Sequence, residues 1–250
     1  MQENKNQVWY ASSLRPYRRN EPWYYNAENI PWASKLEKSW ATWKDEIANF
    51  IKEQDSKFIS TAAFYEKIDT GKNWNAVMLL FWGVKISNEL KKKCPHLNHL
   101  LQEIPGLVSI SISRLNAHST IAEHEGDTNA IMRCHIGIEI PEELPACGFK
   151  VNGEEKSWGE GKCLLFNDAY RHSAWNNSDK RRIILIVDAI RPEFLRKKNL
   201  ICAFIITRHV SYLYDKIKFI RMMPVFIKTI LFAFIVGCIY VLKPVYNLLK

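Results

Sequence analysis

Two histidines stand in polar stretches of the sequence that could hold a metal. His124 opens the run His-Glu-Gly-Asp-Thr-Asn, and His172 lies four residues after Asp168. Two histidines on neighbouring strands of a β-barrel, with a nearby carboxylate, are typical of non-haem iron sites. The carboxylate usually follows the first histidine by two residues, but that position is Gly126 here. Taken alone, the two histidines therefore leave the metal site ambiguous.

Further residues near these histidines could bind an acid. Arg133 and His135 are two apart in an alternating run, so both point to one face of a strand. Arg182 heads an apolar run, which would place a basic residue deep in the fold. A guanidinium can bind a planar acid through two parallel hydrogen bonds. The pattern predicts that a metal and an acid co-substrate share one site.

The elements that would position these residues are β-strands. Apolar and small polar residues alternate over residues 107–115, and Asn152-Gly153 is typical of a tight hairpin turn. Strands separated by turns, without intervening helices, indicate an antiparallel sandwich or barrel. The predicted strands cover residues 76–82, 107–115, 130–140, 147–151, 154–158, 161–166 and 181–187. The fold class is therefore mainly β, with helices beside the sheets.

We divide the chain into four parts on composition and periodicity. Residues 1–70 form an aromatic arm and a helix, the latter predicted from apolar residues at three- and four-residue spacing between residues 33 and 51. Residues 71–192 form the β-domain. Residues 193–223 form a basic, amphipathic linker, and residues 224–242 form an apolar helix.

The positive charge is confined to the tail. The formal net charge is +9, yet residues 191–250 contain 11 Lys or Arg and only two acidic residues, so the rest of the chain is neutral. A basic excess outside the folded domain gives no reason to expect nucleic-acid binding. The six cysteines are scattered without a CxxC pair, which indicates a reducing compartment.

The apolar segment of residues 224–242 has 19 residues with one charge, Lys228. As a helix it would span about 28 Å, close to a hydrocarbon core of about 30 Å. A β-domain already complete near residue 190 offers no surface to bury this segment, so we predict a membrane span. A buried or interfacial hairpin is the alternative. Basic residues before the segment predict a β-domain that faces the cytosol.

The motifs together resemble the aspartyl/asparaginyl β-hydroxylase family. The resemblance is carried by His124-x-Gly126-x-Thr-Asn129, Arg133-x-His135, Phe166-x-Asp168-x3-His172-x2-Trp175 and Arg182, and it covers about residues 113–192. The family has Gly where related enzymes have the ligating acid, so Gly126 supports the assignment. Its members include bacterial lipid A acyl-chain hydroxylases. The resemblance implies a double-stranded β-helix, which is a jelly-roll or cupin-like barrel.

The resemblance also implies roles for named residues. His124 and His172 would bind Fe(II), and Asp168 would act in catalysis by holding a water bound to the iron. Arg182 and Ser113 would bind the distal carboxylate of the co-substrate 2-oxoglutarate. Arg133, His135 and, less closely, Trp74 match residues that contact the co-substrate or an acidic substrate.

The implied activity is an Fe(II)- and 2-oxoglutarate-dependent dioxygenase that uses O2 and releases succinate and CO2. It would hydroxylate an unactivated C–H of a peptidyl Asp or Asn, or of the acyl chain of a membrane lipid. The basic tail and apolar helix would hold the enzyme at the membrane. The alternative is a non-catalytic binding module that retains the barrel. Iron binding and succinate formation distinguish the two.

Overall fold

The fold is seen in a computed structural model that describes residues 7–11, 16–61, 68, 73–214 and 217–249. The predicted boundary between residues 70 and 71 lies outside the described residues, as do Asp215 and Lys216 of the basic tail.

Twelve strands of the described residues form two antiparallel sheets that face each other. The larger sheet has eight strands in the order β1-β10-β7-β12-β5-β3-β2, with β4 paired to β3, and the smaller has the order β6-β11-β8-β9. The strands are β1 Tyr24–Tyr25, β2 Ile59–Ser60, β3 Trp74–Phe81, β4 Val84–Lys85, β5 Leu107–Leu115, β6 Ser119–His124, β7 Ile131–Glu139, β8 Cys147–Val151, β9 Glu154–Lys156, β10 Cys163–Asn167, β11 His172–Asn176 and β12 Arg182–Ile190. This confirms the predicted jelly-roll barrel with flanking helices.

Strands with a strong pattern were predicted closely, and two polar strands were not. The β8–β9 hairpin turns at Asn152 and Gly153 with φ of 49° and 89°, the left-handed conformation that Asn-Gly favours. Strands β6 and β11 are five or six residues long and rich in polar residues. They become strands because they pair with each other and because β11 also pairs with β8.

The described residues form seven α-helices, and the first four cover the outer face of the large sheet. They are α1 Pro31–Lys38, α2 Trp40–Glu53, α3 Glu89–Lys93, α4 Pro95–Gln102, α5 Lys198–Tyr214, α6 Lys218–Met222 and α7 Val225–Leu249. The predicted helix of residues 33–51 is two helices joined at Ser39. Its apolar stripe packs on the sheet, where Trp43, Ile47 and Ile51 are buried with residues of β7 and β12. These helices leave the space between the two sheets for the site.

The α5 helix differs from the linker predicted for residues 193–223. Ile201, Cys202 and Ile205 are buried in a cluster with Trp82 and Ile190 of the β-domain. The β-domain therefore covers part of the segment that was predicted as a linker. Sequence periodicity missed this because α5 is apolar on most of its circumference, so that no single stripe stands out. The expectation of no burying surface concerned residues 224–242, and the most apolar stretch of that helix is not buried.

The α7 helix is longer than predicted and lies antiparallel to α5. It is the one helix among the described residues that is long and apolar enough to cross a membrane, and its most apolar stretch is not buried in the protein. Its C-terminal part contacts the β-domain, where Asn247 Nδ2 donates to the carbonyl of Gly83 at 2.6 Å. The Lys243 side chain is buried beside Asn199 and Cys202. The helix thus has a fixed end against the domain and an apolar surface open to its surroundings.

Candidate metal and co-substrate site

The two histidines face each other across a pair of strands. His124 ends β6, His172 begins β11, and the two are direct partners in the antiparallel register. Their ring centroids are 4.2 Å apart. His172 is buried, whereas His124 is half-buried. The strand pairing therefore brings together two side chains that are far apart in the sequence.

Both imidazoles present Nε2 to the pocket. His124 Nδ1 donates to the carbonyl of Ala122, and His172 Nδ1 donates to the carbonyl of Tyr170, each at 2.8 Å. Because a carbonyl can only accept, these bonds place the proton on Nδ1 and the lone pair on Nε2. Desolvation lowers the pKa of His124 to about 4 and that of His172 well below its usual value. Both rings are therefore neutral, as metal ligands must be.

Asp168 occupies the space that a side chain at position 126 would need. A Cβ on Gly126 would stand 1.7 Å from Asp168 Oδ2, and the Gly126 amide donates to the carbonyl of Asp168 at 2.8 Å. The Asp168 carboxylate lies 3.7 Å from His172 Nε2. Glycine at position 126 thus lets a carboxylate from another loop approach the histidine pair.

Arg133 holds Asp168 in place. Its guanidinium binds both carboxylate oxygens of Asp188, at 2.7 and 2.9 Å, and donates from Nη1 to Asp168 Oδ1 at 2.6 Å. Burial raises the pKa of Asp168 to about 7, although Arg133 opposes the shift. The other oxygen, Asp168 Oδ2, is buried and has no hydrogen-bond partner among the described residues. That orphan acceptor points to a missing donor, such as a water held at the metal.

Arg182 is a buried cation that forms no ion pair with any residue that the structure describes. Its side chain is 1% exposed, and Nε and Nη1 have no hydrogen-bond partner among the described residues. The guanidinium carbon lies 4.7 Å from the ring centroid of Trp158. Burial lowers the pKa of Arg182 to about 10, so it stays charged at neutral pH. A buried, unpaired guanidinium costs several kcal/mol unless an anion binds to it.

Three further residues line the pocket between the histidines and Arg182. Trp74 Nε1 donates to Ser113 Oγ at 2.9 Å, on adjacent strands β3 and β5. Trp158 Nε1 donates to His135 Nδ1 at 3.4 Å, so the His135 proton lies on Nε2. Burial, with Arg133 next, lowers the pKa of His135 well below its usual value. A neutral His135 can therefore donate one hydrogen bond to an acid in the pocket.

The structure brings all of the sequence-predicted site residues together. One pocket is lined by Trp74, Ser113, His124, Arg133, His135, His172 and Arg182, and Asp168 lies directly behind it. The prediction that Arg133 and His135 share a face is confirmed by this lining. Arg133 differs from expectation in that its guanidinium is bound by two carboxylates of the protein.

Two residues of the site were not predicted. Asp188 was given no role from the sequence, yet it binds Arg133. Its signal was a single acid inside the apolar strand β12, since a buried charge requires a partner. Trp158 was placed in the hairpin, and nothing in its neighbours indicated that it would lie over Arg182.

The residues present fit an iron ion with few protein ligands. The described residues contain no group of three or more His, Cys, Asp or Glu side chains arranged to hold a metal. Two neutral imidazoles whose Nδ1 atoms are bound to backbone carbonyls, and the orphan Asp168 Oδ2 near them, match a metal held by two histidines and by water. This is a jelly-roll protein whose pocket brings together two neutral histidines and a buried guanidinium.

Comparison with known proteins agrees with this description. Residues 37–192 match the family described as Aspartyl/Asparaginyl beta-hydroxylase. The chain therefore belongs to the aspartyl/asparaginyl beta-hydroxylase family, whose named relatives are hydroxylases.

The relatives differ in the substrates that their names give. An ornithine lipid ester-linked acyl 2-hydroxylase from Rhizobium tropici is 31% identical over 74% of this chain and 66% of its own length. The aspartyl/asparaginyl beta-hydroxylase of Homo sapiens is 29% identical over 69% of this chain but only 23% of its own length. A viral collagen prolyl hydroxylase in complex with 2OG, from Paramecium Bursaria Chlorella virus-1, has a TM-score of 0.38 and 13% identity, over 59% of this chain and 91% of its own. The chain thus spans just under two thirds of the first relative and about a quarter of the second.

Proposed function

We propose that this protein is an Fe(II)- and 2-oxoglutarate-dependent dioxygenase that hydroxylates an unactivated C–H bond and releases succinate and CO2. The observation that carries the proposal is the buried guanidinium of Arg182, whose Nε and Nη1 have no partner among the described residues, in the same pocket as two neutral imidazoles. A metal site and an anion site in one pocket suit an acid that binds iron at one end and Arg182 at the other.

His124 and His172 would hold the iron through Nε2. When bound, Fe(II) supplies the activation of O2 that no protein side chain can provide. Their Nδ1 bonds to backbone carbonyls keep both rings in one orientation and one tautomer. Because the protein would supply only a few ligands to the iron, coordination positions would stay open for water, co-substrate and O2.

The chain's own residues would bind and orient the acid. Arg182 would bind the distal carboxylate, with Ser113 as a hydroxyl partner on the neighbouring strand β5. His135 would donate from Nε2 to an oxygen of the acid. Trp158 covers Arg182 and excludes water, which strengthens the ion pair. The free space is only about 40 Å³, so we expect side chains around Arg182 to shift when the acid enters.

Asp168 would hold a water at the metal, and Arg133 would position Asp168. The substrate would be a peptidyl Asp or Asn side chain or the acyl chain of a membrane lipid, the two classes named among the relatives. We further propose that the exposed face of α7 binds a membrane and that the β-domain faces the cytosol.

Anaerobic titration tests the proposal. Addition of Fe(II) and 2-oxoglutarate should produce a visible charge-transfer absorption band, and air together with a peptide or lipid substrate should then yield succinate. His172→Ala should abolish both signals. His96→Ala is the matched control, because His96 is exposed on α4 and far from the pocket. A protein that binds 2-oxoglutarate but forms no succinate with peptide or lipid would instead be the non-catalytic binding module.

A further inference from the structure

A second cavity lies beside the site, between β3 and α5. Its free volume is about 330 Å³, within the range of roughly 300–1,000 Å³ that is typical of ligand pockets. The walls are mostly apolar and include Ile59, Ala76, Met78, Phe81, Ile206 and Val210. None of these residues belongs to the metal and co-substrate site.

The two cavities adjoin on one face of the large sheet. Trp74, Ala76 and Met78 alternate along β3, so they point to the same side. Trp74 lines the metal and co-substrate pocket, whereas Ala76 and Met78 line the apolar cavity. Ala76 is also the direct strand partner of Ser113, which lines the metal and co-substrate pocket. The linings of the two cavities therefore meet at the Ala76–Ser113 pair of β3 and β5.

The other wall of the cavity is formed by α5, which also contacts the loop after His124 and the apolar helix α7. His209 of α5 lines the cavity and is bonded to Asp127, three residues after His124. Phe204, on the same helix, packs against Phe232 of α7 with ring centroids 5.2 Å apart. The cavity thus lies between the predicted iron site and the helix that presents an apolar surface.

The mostly apolar lining of the cavity favours an aliphatic chain over an Asp or Asn side chain. An Asp or Asn side chain would need polar partners on burial. Two polar side chains of the lining already have partners in the protein, since Thr61 Oγ1 donates to the carbonyl of Trp74 and His209 Nε2 is bonded to Asp127. An aliphatic chain needs no such partners and would gain free energy from leaving water.

We propose that this cavity binds the acyl chain of a membrane lipid and directs it to the neighbouring metal site. The hydroxylation of the bound acyl chain rests on the proposed function, but binding of the acyl chain itself requires no metal. The exposed surface of α7 would hold the enzyme at the bilayer. The acyl chain of the lipid would then pass along α5 into the cavity.

Photolabelling of the full-length protein tests the proposal. The probe is a phospholipid with a diazirine near the middle of one acyl chain, presented in vesicles without metal. We expect labelled peptides from Ala76–Phe81 and Ile206–Val210, in addition to labels on α7. Val210→Trp should fill the cavity and reduce the labels on β3 about tenfold. Leu200→Trp is the matched control, because Leu200 is exposed on α5 outside the cavity.

The outcomes separate the two proposals. Labels confined to α7, or β3 labels that Val210→Trp leaves unchanged, would overturn the acyl-chain site. Competition by an unlabelled fatty acid gives the same answer without a variant, because it should remove the β3 labels from the native protein. Labelling without succinate formation would support the cavity and contradict the hydroxylase function.

Discussion

Gly126 and Asp168 are sterically complementary, since the Asp168 carboxylate fills the space that a side chain at position 126 would occupy. The ideal Cβ of residue 126 lies 1.7 Å from Asp168 Oδ2 and 2.1 Å from Asp168 Cγ. The site therefore has room for one carboxylate near the histidine pair, and this protein supplies it from the loop before β11. The glycine is a steric requirement of Asp168.

Gly126→Ala should weaken iron binding. The added methyl group must displace Asp168 or the loop after His124, and changes in groups that orient metal ligands cost about 10–100-fold in affinity. Anaerobic Fe(II) titration measures the effect. Gly237→Ala is the control, because a Cβ there meets no atom within 4 Å.

A double variant sharpens the steric explanation. Gly126→Asp alone should bind iron poorly, because two carboxylates would compete for one space. Gly126→Asp combined with Asp168→Gly should recover Fe(II) binding, since the new carboxylate can occupy the vacated position. Equal affinities for the single and double variants would show that the two residues do not compete.

Arg182→Met should make the protein more stable while it abolishes 2-oxoglutarate binding. Replacing buried charges with apolar residues often adds about 1–4 kcal/mol, and each kcal/mol raises Tm by about 2–4 °C in a chain of this size. A ligand at 100 times its Kd stabilises the native protein by about 2.7 kcal/mol, and that shift should vanish. Thermal unfolding with and without 2-oxoglutarate measures both effects.

Arg171→Met provides the comparison for Arg182, since the Arg171 side chain is 67% exposed. It should leave both Tm and the 2-oxoglutarate shift unchanged. An unchanged 2-oxoglutarate shift in Arg182→Met would mean that the acid binds elsewhere.

Glu21 should make stability depend on pH in the acid range. Burial alone would raise its pKa, but hydrogen bonds from Arg191 and Tyr17, at 2.6 and 2.7 Å, lower the pKa below the usual value. A lowered folded pKa means that the stabilisation is present above the unfolded value of about 4.3 and is lost as pH falls through the folded value. Glu21→Gln should therefore destabilise the protein by about 1–3 kcal/mol at pH 7 and much less below pH 3.

Tm measured from about pH 3 to pH 7 tests this dependence. The exposed Glu142→Gln serves as control and should shift Tm little at any pH. If Glu21→Gln lowered Tm equally at both ends of the range, the charge on Glu21 would have no part in the stabilisation.

The apolar face of α7 should control membrane binding. Phe226 and Phe234 are 64% and 67% exposed, so Phe→Ser changes there remove little packing within the protein. Each buried Phe contributes about 1.5–3 kcal/mol, so the double variant should lose vesicle binding by at least about two orders of magnitude with Tm unchanged. Co-sedimentation with vesicles measures the loss. Leu144→Ser, on the β-domain, should bind normally.

Much of the fold could be predicted because its main strands have local patterns. The alternation over Leu107–Leu115 predicted β5 to the residue, and Asn152-Gly153 predicted its hairpin. The site residues could be named in advance because the family's motifs are short and ordered along the chain. Strands β6 and β11 lack such patterns, and their conformation depends on pairing with distant segments.

The sequence by itself determined the types of residue that meet in the pocket, the strands that bear Arg133, His135 and Arg182, and the family. Only the tertiary structure decided that Arg133 binds Asp188 and Asp168, that Arg182 has no counter-ion within the described part of the chain, and that α5 packs on the β-domain. The physical reason is that burial and pairing are properties of contacts between distant segments. A local pattern shows which face of a strand is apolar. Only the packed fold shows which charged side chains form ion pairs within the protein and which could bind a ligand.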